Sequence, residues 1–260
     1  MLAFESHGVG GAPIVLLLHG WPFRAPIWRD VGAGLAPRGF RMIAPDLPGF
    51  GDSPALDKDP PTTEAYADAV AGLLRALGRG SVAVAGHSFG GYVALALADL
   101  YPDLVSGLAL VSSRTHADPD AARRGRFEAM TKVRAGGTQA LLPSLADKLL
   151  GPRSDSRLRD HVTAEIVRAR PDGTIAGLAA MASRPDRTSV LETFSGPVLV
   201  VHGTTDALVP IAEAARPGPH QGPFERTILP DVGHMPMWEA PDALLEAIVR
   251  WASRALRAGT

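Results

Sequence analysis

The run Gly86-His87-Ser88-Phe89-Gly90, with Gly91 after it, follows the apolar segment Ser81 to Ala85 directly and leads straight into a helical pattern. A serine on so sharp a strand-to-helix turn is held in a strained backbone conformation with its Oγ projecting into a cleft, and the small neighbours let strand and helix approach. Ser88 is therefore the candidate nucleophile. The plainer alternative is a serine that only caps the helix of a glycine-rich turn. Neither the dinucleotide pattern G-x-G-x-x-G nor the G-x-x-x-x-G-K-Ser/Thr phosphate loop occurs, so a phosphate cradle is poorly supported.

A serine hydroxyl is a weak nucleophile at neutral pH. It needs a base within hydrogen-bond reach, and the base needs a group that fixes its tautomer. Val198-Leu199-Val200-Val201-His202-Gly203-Thr204-Thr205-Asp206 is an apolar strand running into a turn, which brings Asp206 to the same sheet edge as Ser88. Asp206 is the candidate acid, although an aspartate in such a turn can also simply cap it. Asp231-Val232-Gly233-His234 follows the strand Arg226 to Leu229 and precedes the last helix, making His234 the candidate base. His7, His19, His87, His116, His161, His202 and His220 lie in exposed segments or at strand ends and read as structural.

Acyl transfer also requires donors aimed at the developing oxyanion, each worth about 2.7–4 kcal/mol of transition-state stabilisation. The backbone N–H of Phe89, at the start of a helix, is one candidate. The backbone N–H of Trp21, in His19-Gly20-Trp21-Pro22 after the strand Ile14 to Leu18, is the other. Trp21 also reads as a packed aromatic, and the two readings are compatible because the donor is main chain.

The elements that must position these residues follow from the apolar pattern. Leu2–Glu5, Ile14–Leu18, Phe40–Ala44, Ser81–Ala85, Gly107–Val111, Val198–Val201 and Arg226–Leu229 are short runs suited to strands, most of them apolar throughout. Helical patterns over Ile27–Leu35, Thr63–Leu77, Gly90–Tyr101 and Pro241–Leu256 alternate with them. The alternation predicts an α/β fold, a mostly parallel central sheet with helices on both faces and function at the carboxyl ends of the strands. It breaks between Ser112 and Val190, where helical segments near 120–134, 139–150, 156–170 and 174–181 predict an insertion. Residues 114–190 carry 14 basic and 9 acidic side chains, which reads as helix surface charge or as attraction for an anionic substrate.

Composition narrows the function classes. A chain of 260 residues with 46% hydrophobic and 20% charged residues is a globular protein of one large domain by default. A formal net charge of -1 gives no overall drive toward nucleic acid or anionic lipid, and the absence of cysteine excludes thiol chemistry. The 28 glycines and 23 prolines sit at the ends of apolar runs, as turn punctuation. Ile14–Leu18 is too short to span a bilayer and no signal-peptide pattern appears, so the expectation is a cytoplasmic protein without a membrane partner.

His19-Gly20-Trp21-Pro22, Asp46-Leu47-Pro48-Gly49-Phe50-Gly51-Asp52-Ser53, Gly86 to Gly91, His202 to Asp206, and Gly233-His234 through Glu239 and Pro241 together resemble the α/β-hydrolase fold family. The order Ser88, Asp206, His234 is the order of that family's triad. Within the family, Met181-Ala182-Ser183-Arg184-Pro185-Asp186-Arg187-Thr188 resembles 3-oxoadipate enol-lactonases and related carboxylesterases. The resemblance implies a serine hydrolase acting on a small-molecule carboxylic ester or lactone with water, needing no metal or organic cofactor. It also implies a core of residues 1–112 and 191–260 and a helical lid of 113–190 between strands six and seven. Serine at position 88 argues against dehalogenase or epoxide hydrolase chemistry, where the family places an aspartate. The same triad serves perhydrolases, carbon–carbon bond hydrolases and acyltransferases, and a ligand receptor on this fold is the reading from another class. Asp46 reads as the holder of a tight turn. The short amino terminus leaves room for about one strand before Ile14 where the family commonly has a hairpin, so its first strand is expected to be missing.

Overall fold

Five aliphatic residues in a row, Ile14–Leu18, offer no polar face to water, and the segment forms a strand buried along its whole length. In the computed structural model, which describes residues 1–78, 80–214 and 220–257, it is β2 of a seven-stranded sheet. The others are β1 (Phe4–His7), β3 (Arg41–Pro45), β4 (Val82–His87), β5 (Val105–Val111), β6 (Val198–Gly203) and β7 (Phe224–Leu229). Their order across the sheet is β1-β3-β2-β4-β5-β6-β7, with β1 antiparallel to β3 and every other pair parallel.

Side chains alternate across the sheet, and each face has its own helical layer. Leu16, Val84, Leu110 and Val200 join the core under α2 (Thr63–Ala76) and α3 (Phe89–Leu100). Leu17, Ala85, Val111 and Val201 join the core under α1 (Arg29–Leu35) and the carboxyl-terminal helix Pro241–Arg257. That last helix buries Leu244, Ala247, Ile248, Trp251, Ala252 and Ala255, the spacing of one helical face, while Arg250 and Arg254 on its outer side pair with Glu225.

Between β5 and β6 stand α4 (Asp120–Gly136), α5 (Leu142–Leu149), α6 (Ser156–Arg168), α7 (Pro171–Ser183) and α8 (Thr188–Thr193). The short α9 (Pro236–Glu239) follows β7 and leads into α10, the carboxyl-terminal helix. The expected insertion is present, but it falls between the fifth and sixth described strands, not the sixth and seventh. The count is one short because a single strand, β1, precedes Ile14 among the described residues. That strand is also displaced from its expected span of 2–5: its ladder pairs Phe4 with Pro45 through His7 with Met42, and Leu2 is buried beyond it.

The basic surplus of the insertion is in good part structural. Asp118, whose side chain is wholly buried, accepts from Arg184 at 2.7 Å, Arg114 at 2.8 Å and Arg126 at 3.1 Å. Burial alone would raise its carboxyl; the Arg126 and Arg184 guanidiniums outweigh that and hold it below the usual carboxylate range. Arg114 also pairs with Glu213, and Arg184 stacks 3.9 Å from the centre of the Tyr92 ring. Arg187, buried as well, bonds Glu64 and Asp99 and so ties the approach to α8 onto α2 and α3. Removing Asp118 leaves buried guanidiniums without their counter-charge, so Asp118→Ala should cost about 3–5 kcal/mol of stability. Urea denaturation monitored by tryptophan fluorescence measures it; a loss below about 1 kcal/mol, the range of an exposed ion pair, would refute the buried-network account. No described helix is long and apolar enough to cross a membrane.

Candidate active site

The strand register brings the sequence-predicted residues to one edge. Leu18 pairs with Gly86, His87 with Val111, Val111 with Val201 and Gly203 with Leu229. The segments carrying Trp21, Ser88, Asp206 and His234 therefore all leave the sheet at its carboxyl ends, where ligand sites of parallel sheets form.

Ser88 has φ 49° and ψ -112°, a region a residue with a Cβ rarely occupies, directly between β4 and α3. Two glycines make this turn possible. A Cβ on Gly86 would run into the Gly90 carbonyl, and a Cβ on Gly90 into the Leu18 carbonyl. The turn is then fixed by hydrogen bonds: Ser88 N–H donates to Val111 O at 2.9 Å, and Ser113 Oγ donates to Ser88 O at 2.9 Å. Ser113 was not singled out in the sequence; only its place at the end of the neighbouring strand marks it.

Asp206 and His234, both buried, meet directly: His234 Nδ1 donates to Asp206 Oδ2 at 2.8 Å. The other oxygen, Oδ1, accepts from Leu208 N–H and Val209 N–H, each at 2.9 Å. Burial pushes the Asp206 carboxyl up, but the His234 charge and hydrogen bond and the Val209 amide prevail and keep it below the usual carboxylate range. His234 Nδ1–H is thereby held toward the acid, leaving Nε2 as the free position on the ring. Ser88 shares this edge without a hydrogen bond to His234 among the described residues. His87, the residue before Ser88, has its ring 4.9 Å from that of His234.

The His234 segment is held by its backbone too. Its N–H donates to Leu149 O at 2.8 Å, at the end of α5, and its carbonyl lies 2.8 Å from His87 Nε2. The Glu239 carboxylate gathers Gly233 N–H at 3.0 Å, Met235 N–H at 3.2 Å, Gly151 N–H at 2.6 Å and Ser154 Oγ at 3.0 Å. Glu239 stood in the sequence motif; that it binds the turn after α5 was not legible there.

The Trp21 loop is built in the same way. His19 Nδ1 donates to Gly20 O at 3.0 Å and its Nε2 accepts from Leu47 N–H at 2.8 Å, which requires a neutral ring. Burial agrees, lowering His19 to about 4. Asp46 accepts from Ala25 N–H at 2.8 Å and Asp52 N–H at 3.0 Å, the turn-holding part expected of it. The indole of Trp21 donates to Thr174 O of α7 at 2.9 Å, so the insertion rests on this loop. The backbone N–H groups of Trp21 and Phe89 donate to no acceptor among the described residues. A crevice of about 140 Å³ opens beside the loop, between Pro22, Phe23 and Phe50 and the insertion residues Glu165 to Arg170. A groove of about 790 Å³ lies at the opposite end of the sheet, lined by Ile14, Val82 and Val105, the first residues of three strands or next to them.

His202, expected to be structural, bonds Val209 O at 2.6 Å beneath Asp206. His161 packs edge-on against Trp238, with centroids 4.8 Å apart.

Comparison with known proteins agrees with this architecture. The chain is 32% identical over 255 residues to a pimeloyl-acyl-carrier-protein methyl ester esterase of Aromatoleum aromaticum, covering 92% of this chain and 98% of the relative. A thermophilic esterase from Thermogutta terrifontis, solved with malate bound, superposes with a TM-score of 0.89 at 36% identity, over 98% of this chain and 94% of that one. The enol-lactonase from Burkholderia xenovorans LB400 shares the fold, with a TM-score of 0.84 at 22% identity over 97% and 96% of the two chains. The model of the alpha/beta hydrolase fold matches residues 13–241, from just before β2 to the start of α10, and the chain belongs to that family.

Proposed function

We propose that the protein is a serine hydrolase that cleaves a small carboxylic ester or lactone through an acyl-enzyme intermediate. The observation that carries the reading is the 2.8 Å bond from His234 Nδ1 to Asp206, at the same sheet edge as the strained Ser88. Esterase relatives at 32% and 36% identity support it.

Ser88 Oγ attacks the carbonyl carbon and passes its proton to His234 Nε2. Asp206 holds the resulting imidazolium, and the Phe89 and Trp21 amides take the charge on the former carbonyl oxygen. Collapse expels the alcohol, which leaves with the proton from Nε2; in a lactone it stays tethered to the acyl group. Water then attacks the acyl-enzyme, giving its proton to Nε2, and Ser88 recovers that proton as the acid departs. A Ser88–His234 hydrogen bond, not made among the described residues, forms as substrate fills the site, as is common for catalytic contacts that are long or misaligned in the free enzyme. Residues 113–190 act as a lid over a core of 1–112 and 191–260, with α7 resting on Trp21.

Initial rates on p-nitrophenyl acetate, butyrate and decanoate, with neutral and carboxylate-bearing lactones alongside, test the reading. Turnover of at least one of them is expected, and the preferred substrate decides between esterase and lactonase. No turnover of any ester or lactone would overturn the hydrolase reading.

A further inference from the structure

His87 is wholly buried and touches three parts of the site at once. It immediately precedes Ser88, and its Nε2 lies 2.8 Å from the carbonyl oxygen of His234, across 147 residues of sequence. On its other side the ring presses on Gly20, where an added Cβ would run into His87 Nδ1 and Cε1. An oxygen acceptor at Nε2 assigns the ring's proton to that nitrogen. Burial, then the neighbouring His234 ring, push the imidazole down to about 3, so it is neutral at the pH of any assay near 7. Nδ1 is left as a buried acceptor without a partner among the described residues.

An imidazole is a poor filler for such a place. A buried polar atom without a partner is unfavourable, and an apolar side chain of similar length would fill the same space without that cost. What the imidazole does that an apolar side chain does not is donate to the main chain of the candidate base. We infer that His87 is a positioning residue: through its Nε2–H it clamps the His234 backbone against the Ser88 turn and sets the distance between nucleophile and base.

The inference rests on the serine hydrolase reading, and the test separates the two. His87→Gln keeps an N–H donor at about the reach of Nε2, His87→Asn is polar but too short, and His87→Met fills the space with no donor. Their kcat and KM on the preferred ester, and their Tm, are compared with wild type and Ser88→Ala. For His87→Met and His87→Asn, kcat should fall about 10- to 100-fold, the range for misplaced catalytic groups. KM should change less than about twofold, since substrate binding does not use this bond. His87→Met removes the unpartnered Nδ1 but leaves the His234 carbonyl without its donor, so its Tm should fall no further than that of His87→Asn, and His87→Gln should recover most of kcat. A purely space-filling role predicts the reverse, with kcat following Tm and Gln no better than Asn.

Wild-type kcat in His87→Met, or equal losses in Gln and Asn, overturns the inference while an inactive Ser88→Ala leaves the hydrolase reading standing. Undiminished activity in Ser88→Ala overturns both. Should His87→Met not fold, the Gln and Asn pair still decides.

Discussion

Replacing Ser88 by alanine should lower kcat by about a million-fold, the scale seen when a serine nucleophile is removed from an intact site, and leave the fold unharmed. The second half of that expectation comes from the turn. Alanine keeps the Cβ, so the strain at φ 49° is the same in both proteins, and Ser88 Oγ makes no hydrogen bond among the described residues that folding would miss. The residual rate should exceed that of the reaction in water by about 10³- to 10⁴-fold, because the Phe89 and Trp21 amides proposed for the oxyanion remain. A glycine at the same position removes the strain as well as the hydroxyl, so Ser88→Gly should be equally inactive yet no less stable than wild type. Steady-state kinetics on the preferred ester, with thermal denaturation of the same samples, reads both quantities. Full activity in Ser88→Ala would refute the nucleophile assignment outright.

Asp206→Asn should cost about 10⁴-fold in kcat at neutral pH, the scale of a tautomer error. The geometry says why asparagine has no acceptable orientation. Asp206 Oδ1 accepts from two amides, Leu208 and Val209, so the carboxamide oxygen must stay there or leave both unpaired. Its NH2 group is then turned toward His234, replacing an acceptor by a donor where Nδ1–H now bonds at 2.8 Å. The imidazole answers by moving its proton to Nε2, the nitrogen that must be free to take the Ser88 proton. Binding should change little, so KM should stay within about threefold while kcat falls. Nitrogen-15 shifts of His234 would show the proton on Nε2 in the variant and on Nδ1 in the wild type. An unchanged tautomer would refute the explanation even if the rate fell.

Much of this was readable from residue order alone, for a physical reason. Strands buried on both faces must be apolar throughout, and Ile14–Leu18 and the first four residues of Val198–Gly203 are. The site residues stand immediately after such strands, so locating the strands located Ser88, Asp206 and His234. The edge strand β1 has no such requirement. Its Ser6 is exposed and its ladder runs two residues later than the apolar Leu2 suggests. The start of α7 moved from Thr174 to Pro171 because proline, lacking an N–H, fits the first turn of a helix. The six-residue α8 and the four-residue α9 are too short for helical periodicity to show.

What stayed hidden are pairings made by the fold. Asp118 looks like one more surface acid until three arginines close on it. His87 looks like a spacer until its ring reaches His234, and Leu149 is an ordinary aliphatic whose carbonyl matters only through the turn it enters. No local pattern encodes the contacts of Asp118 with Arg184, of His87 with His234 or of Leu149 with His234, which join segments far apart in the chain.

The bond from His234 N–H to Leu149 O, with Gly151 N–H on Glu239, bears on any attempt to recombine this scaffold with its relatives. The insertion looks like an interchangeable cassette because it enters after one strand and returns before the next. Its middle is nonetheless stitched into the frame of the candidate site, at the turn between α5 and α6. A chimaera joined at residues 113 and 190 would replace the acceptor of the His234 amide along with the rest of the insertion. The segment from Leu149 to Ser154 belongs with the recipient, so the freely exchangeable parts are two separate pieces, one on each side of it.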